Sequence, residues 1–243
     1  MYRLLFVLVT VALAADAKKL ASFIKPCKRN DPDLNGCAKR NGLEAIPYLL
    51  KGDKEYKIPN LSPLHLPQID IASGGNFKIK FNDIVLSGLE TVDFRDININ
   101  LKKKTIRVTV AFSSVNLKGQ YEMDGRILVL PLKGNGPADL TFDDVVVDYF
   151  FQFELIKKGD GKEYINPDIK PEIKYTLRNA HYHFDNLFNG DKLLGDQTNA
   201  FLNEHASDVN EDLGESISQT ISAVVTNIIQ RILAVVPYDE IFI

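Results

Sequence analysis

The sequence predicts an α+β protein: a long, strongly curved antiparallel β-sheet rolled around one long C-terminal α-helix. Two observations carry the class. From Gly74 to about Phe184 apolar residues recur with period two, as in strands with one buried face. From Leu213 to Val236 they recur every three or four residues, as in a helix with a wide apolar stripe. A third observation supplies the curvature. The strand alternation changes parity repeatedly, and each change falls on a polar pair: Asn82–Asp83, Arg95–Asp96, Ser113–Ser114 and Asp143–Asp144. A one-residue slip would turn the apolar face to solvent. A bulge restores the facing and bends the strand.

Along the chain, Met1-Tyr2-Arg3 precedes an apolar run, Leu4 to Ala14, and small residues follow as far as Ala17. This is the form of a secretory signal peptide. It is expected to cover residues 1–15, with cleavage between 14 and 17, leaving 16–243 as a single domain. The run is shorter than the roughly 20 residues that span a bilayer, and Asp16, Lys18 and Lys19 end it. Secretion gives the two cysteines a meaning. Cys27 and Cys37 enclose a polar, turn-rich loop, and in an oxidising compartment they are expected to form one structural disulfide.

The strand region begins with Phe77, Ile79 and Phe81 and continues through Val92, Phe94, Ile97, Ile99 and Leu101. Ile106, Val108, Val110 and Phe112 follow, then Val115, Leu117, Tyr121 and Met123. The strongest run is Val145, Val147, Tyr149, Phe151, Phe153 and Leu155. Turn signals stand at Met123-Asp124-Gly125, Gly134-Asn135-Gly136-Pro137 and Lys158-Gly159-Asp160-Gly161. Bulges at the polar pairs imply bent strands of about ten to sixteen residues, against the usual five or six. More and shorter strands, joined by two-residue loops at the same pairs, would also satisfy the pattern.

The helical stripe comprises Leu213, Ile217, Ile221, Val224, Val225, Ile228, Ile229, Ile232, Leu233 and Val236. A helix continuous from about Thr198 would run about 39 residues, or about 58 Å at 1.5 Å per residue, with Gly214 the expected kink. Polar residues such as Ser218, Thr226 and Gln230 interrupt every window of membrane length, so no stable membrane insertion is expected. The stripe is also wider than a coiled-coil seam. Burial against the curled sheet is the economical arrangement. Tyr238, Ile241 and Phe242, after Pro237, read as a terminal plug.

A net charge of −3 over 243 residues carries no basic footprint, so nucleic acid is excluded as a partner. Catalytic motifs are missing too: the chain has no nucleophile elbow, phosphate loop or His-Glu-x-x-His. His181 and His183 would share one face of a strand, yet no ligand cluster accompanies them. No metal, no cofactor and no enzyme activity are therefore expected. Asn60-Leu61-Ser62 matches a glycosylation acceptor, although Pro63 follows it.

Three ordered blocks carry a resemblance. The first is Ile24-Lys25-Pro26-Cys27-Lys28-Arg29-Asn30-Asp31-Pro32-Asp33-Leu34-Asn35-Gly36-Cys37, and the second runs from Tyr121-Glu122-Met123-Asp124-Gly125 to Pro131. The third runs from Leu187-Phe188-Asn189-Gly190-Asp191 through Asn199-Ala200-Phe201-Leu202-Asn203-Glu204 to Val236-Pro237-Tyr238-Asp239-Glu240. Across nearly the whole mature chain the sequence resembles the takeout family of insects, which includes the hemolymph juvenile-hormone-binding proteins. The resemblance implies an interior hydrophobic tunnel holding an elongated apolar ligand. Together with the signal peptide and the curled-sheet pattern, it points to a secreted, extracellular, non-enzymatic carrier of a terpenoid such as juvenile hormone, a fatty acid or a similar lipid, expected to be a monomer. An extracellular signalling or interaction protein that keeps the lipid-binding fold as a scaffold is the alternative.

The tunnel-lining candidates come from the inward parity set and the helical stripe. On the sheet they are Phe94, Ile99, Val108, Val110, Phe112, Leu117, Tyr121, Leu130, Val147, Tyr149, Phe151, Phe153, Tyr175, Tyr182 and Phe184. On the helix they are Ile221, Val224, Val225 and Ile228. Taken one position at a time, without the resemblance, plain core is the favoured reading of each. Tyr121, Tyr149, Tyr175 and Tyr182 are the candidates for fixing a ligand's polar group.

Overall fold

In the computed structural model of the chain, residues 18–73 and 77–243 are described; the expected signal peptide lies outside them. In chain order the elements are α1 (Leu34–Leu50), β1 (Leu64–Ser73), β2 (Phe77–Ser87), β3 (Asp93–Asn100), β4 (Thr105–Ile127) and β5 (Leu130–Gln152). A small hairpin, β6 (Leu155–Lys157) and β7 (Glu163–Ile165), precedes β8 (Glu172–Thr176) and β9 (Asn179–Phe184). The chain ends in α2 (Lys192–Glu204), α3 (Ala206–Leu233) and α4 (Tyr238–Ile241).

The backbone of the molecule is the β4–β5 hairpin. Both strands run 23 residues and stay in one register from Thr105↔Gln152 to Ile127↔Leu130. Along the outer side of β4 lie β2 and then β3, end to end. β9 and then β8 share the outer side of β5, and β1 pairs with β2. Every pairing is antiparallel.

The parity breaks act in two ways. At Asn82–Val85 and at Phe94–Asp96 the register shifts, as a bulge requires. Asp83 there adopts φ 51°, a left-handed conformation that Asp tolerates. The other two breaks face each other. Phe112 pairs with Val145 and Val115 with Phe142, so both strands change inward parity at the same level without a register shift. This shared crease bends the hairpin without ending its ladder, which is why β4 and β5 exceed the expected ten to sixteen residues.

Two expected turns are strand instead. β4 continues through Asp124-Gly125 to a two-residue turn at Leu128-Val129, with Leu128 at φ 52°. Gly134 and Gly136 lie within β5, where glycine is needed for close approach. A Cβ on Gly134 would stand 2.6 Å from the Tyr121 hydroxyl and 3.1 Å from Leu187 Cα. The Lys158–Gly161 turn forms as expected, between β6 and β7.

The long helix breaks at His205 (φ −109°, ψ 27°) and not at Gly214. The cause is that the two halves have different partners. Asn199 and Asn203 on α2 each bond both backbone groups of a β9 residue, Phe184 and Tyr182 respectively, at 2.8–3.0 Å. Four residues of helix rise about 6 Å and two of strand about 6.7 Å, so the pair substitutes for a neighbouring strand. α3, 28 residues and about 42 Å long, instead spans the opening of the roll. It touches β1 on one side and β8 and β9 on the other. Both sheet edges are thereby covered, which removes a hazard of exposed strands.

The remaining edge belongs to β3, and α1 covers it. The Ile99 N–H donates to Asn35 Oδ1 at 2.8 Å, and Lys39 donates to the Arg95 carbonyl at 2.6 Å. Cys27 and Cys37 are joined in a disulfide, their Cα atoms 6.1 Å apart. Cys27 also pairs as a short parallel bridge with Phe242 of the C-terminal tail. Among the described residues, no helix is long and apolar enough to cross a membrane.

Candidate ligand site between the sheet and α3

The space between the concave sheet and α3 has two packed ends. At one end Phe77, Phe81, Tyr121, Ile127, Tyr182 and Phe184 pack with Leu202, Val209 and Leu213 of the helices. At the other end Tyr149, Phe151 and Phe153 pack with Leu233, Tyr238 and Phe242. α4 closes this second end. The Tyr238 ring lies 6.2 Å from Phe153 and 5.5 Å from Phe242, and the Arg29 guanidinium sits over it at 4.6 Å. The expected role of Tyr238 and Phe242 as a plug agrees with this placement.

Between the ends the packing changes. No residue of α3 from Gly214 to Ile232 is fully buried, although Ile217, Ile221, Val225 and Ile229 face the sheet clusters. Opposite them β3, the first six residues of β4 and β8 likewise carry no fully buried side chain. The floor is buried: Val115 on β4, and Val145, Val147, Tyr149 and Phe151 on β5. Side chains in a filled core interdigitate to crystal density. The apolar walls of the middle differ from the two ends in being only partly buried.

The candidates from the sequence distribute over these regions. Phe94, Ile99, Val108, Val110, Phe112, Tyr175, Ile221, Val224 and Val225 are partly buried around the middle, whereas Ile228 packs away from it, against the cluster of Tyr56, Ile58 and Val236. Phe94 also rests against α1, because a Cβ on Gly42 would stand 2.9 Å from its ring. Val147, Tyr149 and Phe151 form the floor, and Phe153 lies beside the plug. Leu117, Tyr121, Tyr182 and Phe184 belong to the packed first end, and Leu130 packs there beside the hairpin turn.

The four tyrosines differ in what their hydroxyls do. Tyr121 donates to the Asp185 carbonyl at 2.7 Å, and Tyr175 donates to Asn210 Oδ1 on α3 at 2.9 Å. Tyr149 and Thr226 share a hydrogen bond of 2.9 Å across the middle. The Tyr182 hydroxyl is buried with no hydrogen-bond partner among the described residues. Thr226, Asn210 and Asn203 were not among the sequence candidates. Their one available signal is a small polar residue beside an apolar stripe, or two Asn four apart.

Burial pushes the Tyr121 and Tyr175 phenols up to about 12, and raises those of Tyr149 and Tyr182 as well. In the unfolded chain the same groups ionise near their ordinary value of 10.0. A raised folded-state value contributes stability that is whole below that value and lost above it. Unfolding free energy is therefore expected to fall as pH rises from about 10 through about 12, with buried phenols ionising together with unfolding. Denaturant titrations at stepped alkaline pH, read alongside phenolate absorbance, check this. Ionisation of all the tyrosines before any loss of structure would refute it.

Two depressions lie outside this interior, of about 350 and 540 Å³. Charged residues such as Lys118, Asp139, Lys80 and Glu122 line them, and neither includes a candidate lining residue. His181 and His183 are exposed on β9, where His183 Nε2 lies 3.2 Å from Asp185. Among the described residues no group of three or more His, Cys, Asp or Glu is placed to hold a metal ion.

A long antiparallel sheet rolled against a long C-terminal helix, its edges covered by α1, α2 and α3, defines a tubular α+β fold. The chain belongs to the haemolymph juvenile hormone binding protein family, whose model matches residues 4–243. It is similar to the circadian clock-controlled protein daywake of Drosophila melanogaster, 27% identical over 96% of this chain and 92% of that protein. A putative beta-carotene-binding protein of Schistocerca gregaria is 28% identical over 49% of this chain and 48% of its own. The crystal structure of Epiphyas postvittana Takeout 1 superposes with a TM-score of 0.77 at 26% identity, covering 90% of this chain and 99% of that one. The takeout-like resemblance and the predicted fold class both agree with these findings.

Proposed function

We propose that this protein is a secreted, non-enzymatic carrier that holds an elongated hydrophobic small molecule between the concave sheet and α3. The observation that carries the reading is the pair of apolar walls, only partly buried, between two packed ends. A guest there gains about 25 cal/mol per Å² of apolar surface removed from water, or about 0.8 kcal/mol per methylene. Long alkyl or terpenoid chains gain most. The family's haemolymph juvenile hormone binding description and the Schistocerca gregaria relative's putative beta-carotene binding support a ligand of this class. The lining set consists of the partly buried candidates around the middle together with the β5 floor. Secretion is supported by the signal-like residues 1–15 and by the disulfide, with residues 16–243 acting as one monomeric binding domain.

Mass spectrometry of an organic extract of the folded protein is expected to find a hydrophobic molecule in stoichiometric amount. After delipidation, a fluorescent fatty-acid analogue is expected to bind and to be displaced by terpenoids or long-chain lipids. No extractable molecule together with no displaceable probe would overturn the proposal.

A further inference from the structure

The Tyr182 side chain is held firmly and left unfinished. Its backbone N–H and carbonyl are both bonded by Asn203, at 2.8 and 2.9 Å, so α2 fixes the residue from behind. Its ring meets Phe142 edge-on at 6.2 Å. Phe142 packs both on the first end cluster and on the middle cluster of Val115, Val145 and Val147. Tyr182 thus stands where the packed end gives way to the partly buried middle. The residue is 5% exposed, and its hydroxyl has no hydrogen-bond partner among the described residues. Buried polar groups are nearly always paired, so an orphaned one calls for an explanation.

We propose that the Tyr182 hydroxyl anchors the one polar group of the bound molecule, a neutral oxygen acceptor such as an ester or ketone carbonyl. The inference rests on the reading of this interior as a ligand chamber and adds the chemistry and position of the ligand's polar end. The direction of the bond follows from protonation. Burial raises the phenol far above its ordinary value, and the neighbouring Tyr175 phenol raises it further, so Tyr182 is a donor at any physiological pH. The Tyr175 hydroxyl already donates to Asn210. A free carboxylate is disfavoured, because the facing group is a phenol and a buried anion needs a counter-charge. A pure hydrocarbon would leave the donor unpaired, the expensive outcome.

The test uses full-length delipidated protein and displacement of the neutral probe N-phenylnaphthylamine by three molecules of similar chain: methyl palmitate, palmitic acid and heptadecane. Wild type is expected to favour the ester over the alkane. Tyr182→Phe, which keeps the ring and removes the hydroxyl, is expected to reduce that ester-to-alkane preference about tenfold. An unchanged preference in the variant, or a larger loss for palmitic acid than for the ester, overturns the anchor while leaving the carrier reading intact. Displacement by none of the three overturns both. Infrared spectra of carbonyl-labelled methyl palmitate bound to wild type provide a readout independent of any variant. The carbonyl stretch is expected below its value in dry hydrocarbon, and an unshifted band overturns the proposal.

Discussion

Truncating Phe81 to alanine is expected to lower the unfolding free energy by about 3–5 kcal/mol, whereas Ile221→Ala is expected to cost only about 1 kcal/mol. Both changes delete apolar bulk from the inward surface, so the contrast isolates packing. Phe81 is 2% exposed and lies in the middle of β2, paired with Tyr121 on one side and Ile69 on the other. Ladders on both sides hold the backbone, so the site cannot collapse, and the cavity term adds to the lost transfer energy. Ile221 is half-buried already, beside Val115, Val145 and Val147. Removing it deletes contacts on one flank only and, on the carrier reading, enlarges a space that exists. Urea denaturation of delipidated protein measures both values. Equal costs would mean that the middle is packed as tightly as the end, and the carrier reading would lose its main support.

The architecture was legible because its signals are local. Period-two runs and a three-to-four-residue stripe are properties of neighbouring residues, and the parity slips at Asn82–Asp83 and Arg95–Asp96 mark bulges directly. What escaped depends on distant partners. The Ser113–Ser114 and Asp143–Asp144 slips resemble the other two, yet they cancel because each lies opposite the other in the β4–β5 ladder. Gly134 and Gly136 have turn composition, but they make room for Tyr121 and for the segment from Asp185 to Leu187. The helix break follows from Asn199 and Asn203 gripping β9, a reason that no helix propensity at Gly214 contains. The site was legible in the same partial way. The inward residues follow from parity, but whether one is core or wall depends on what stands across the roll. Tyr182 and Tyr149 look alike in sequence; the hydroxyl of one meets Thr226 and that of the other meets nothing among the described residues.

Replacing Cys27 and Cys37 together by serine is expected to cost about 3 kcal/mol, the loop-closure entropy of so short a ring in the unfolded chain. The consequence should reach further than the loop. On one side of the disulfide, the backbone from Cys27 to Arg29 exchanges hydrogen bonds with Ile243, and Arg29 pairs with Asp239 and donates to the Phe242 carbonyl. On the other side, Cys37 lies in α1, whose Asn35 and Lys39 hold the free edge of β3. The covalent bond therefore links the plug formed by Tyr238 and Phe242 to the helix that seals a wall of the interior. Without it, the tail should open locally before the sheet unfolds, since terminal segments carry the smallest opening energies. Amide exchange of Phe242 and Ile243 is expected to accelerate far more than that of Leu117 or Val147, and bound ligand to leave faster. If the double variant lost stability while tail exchange and ligand release kept their wild-type rates, the disulfide would act on the unfolded chain alone. Its link to the plug would then have no part in retaining a guest.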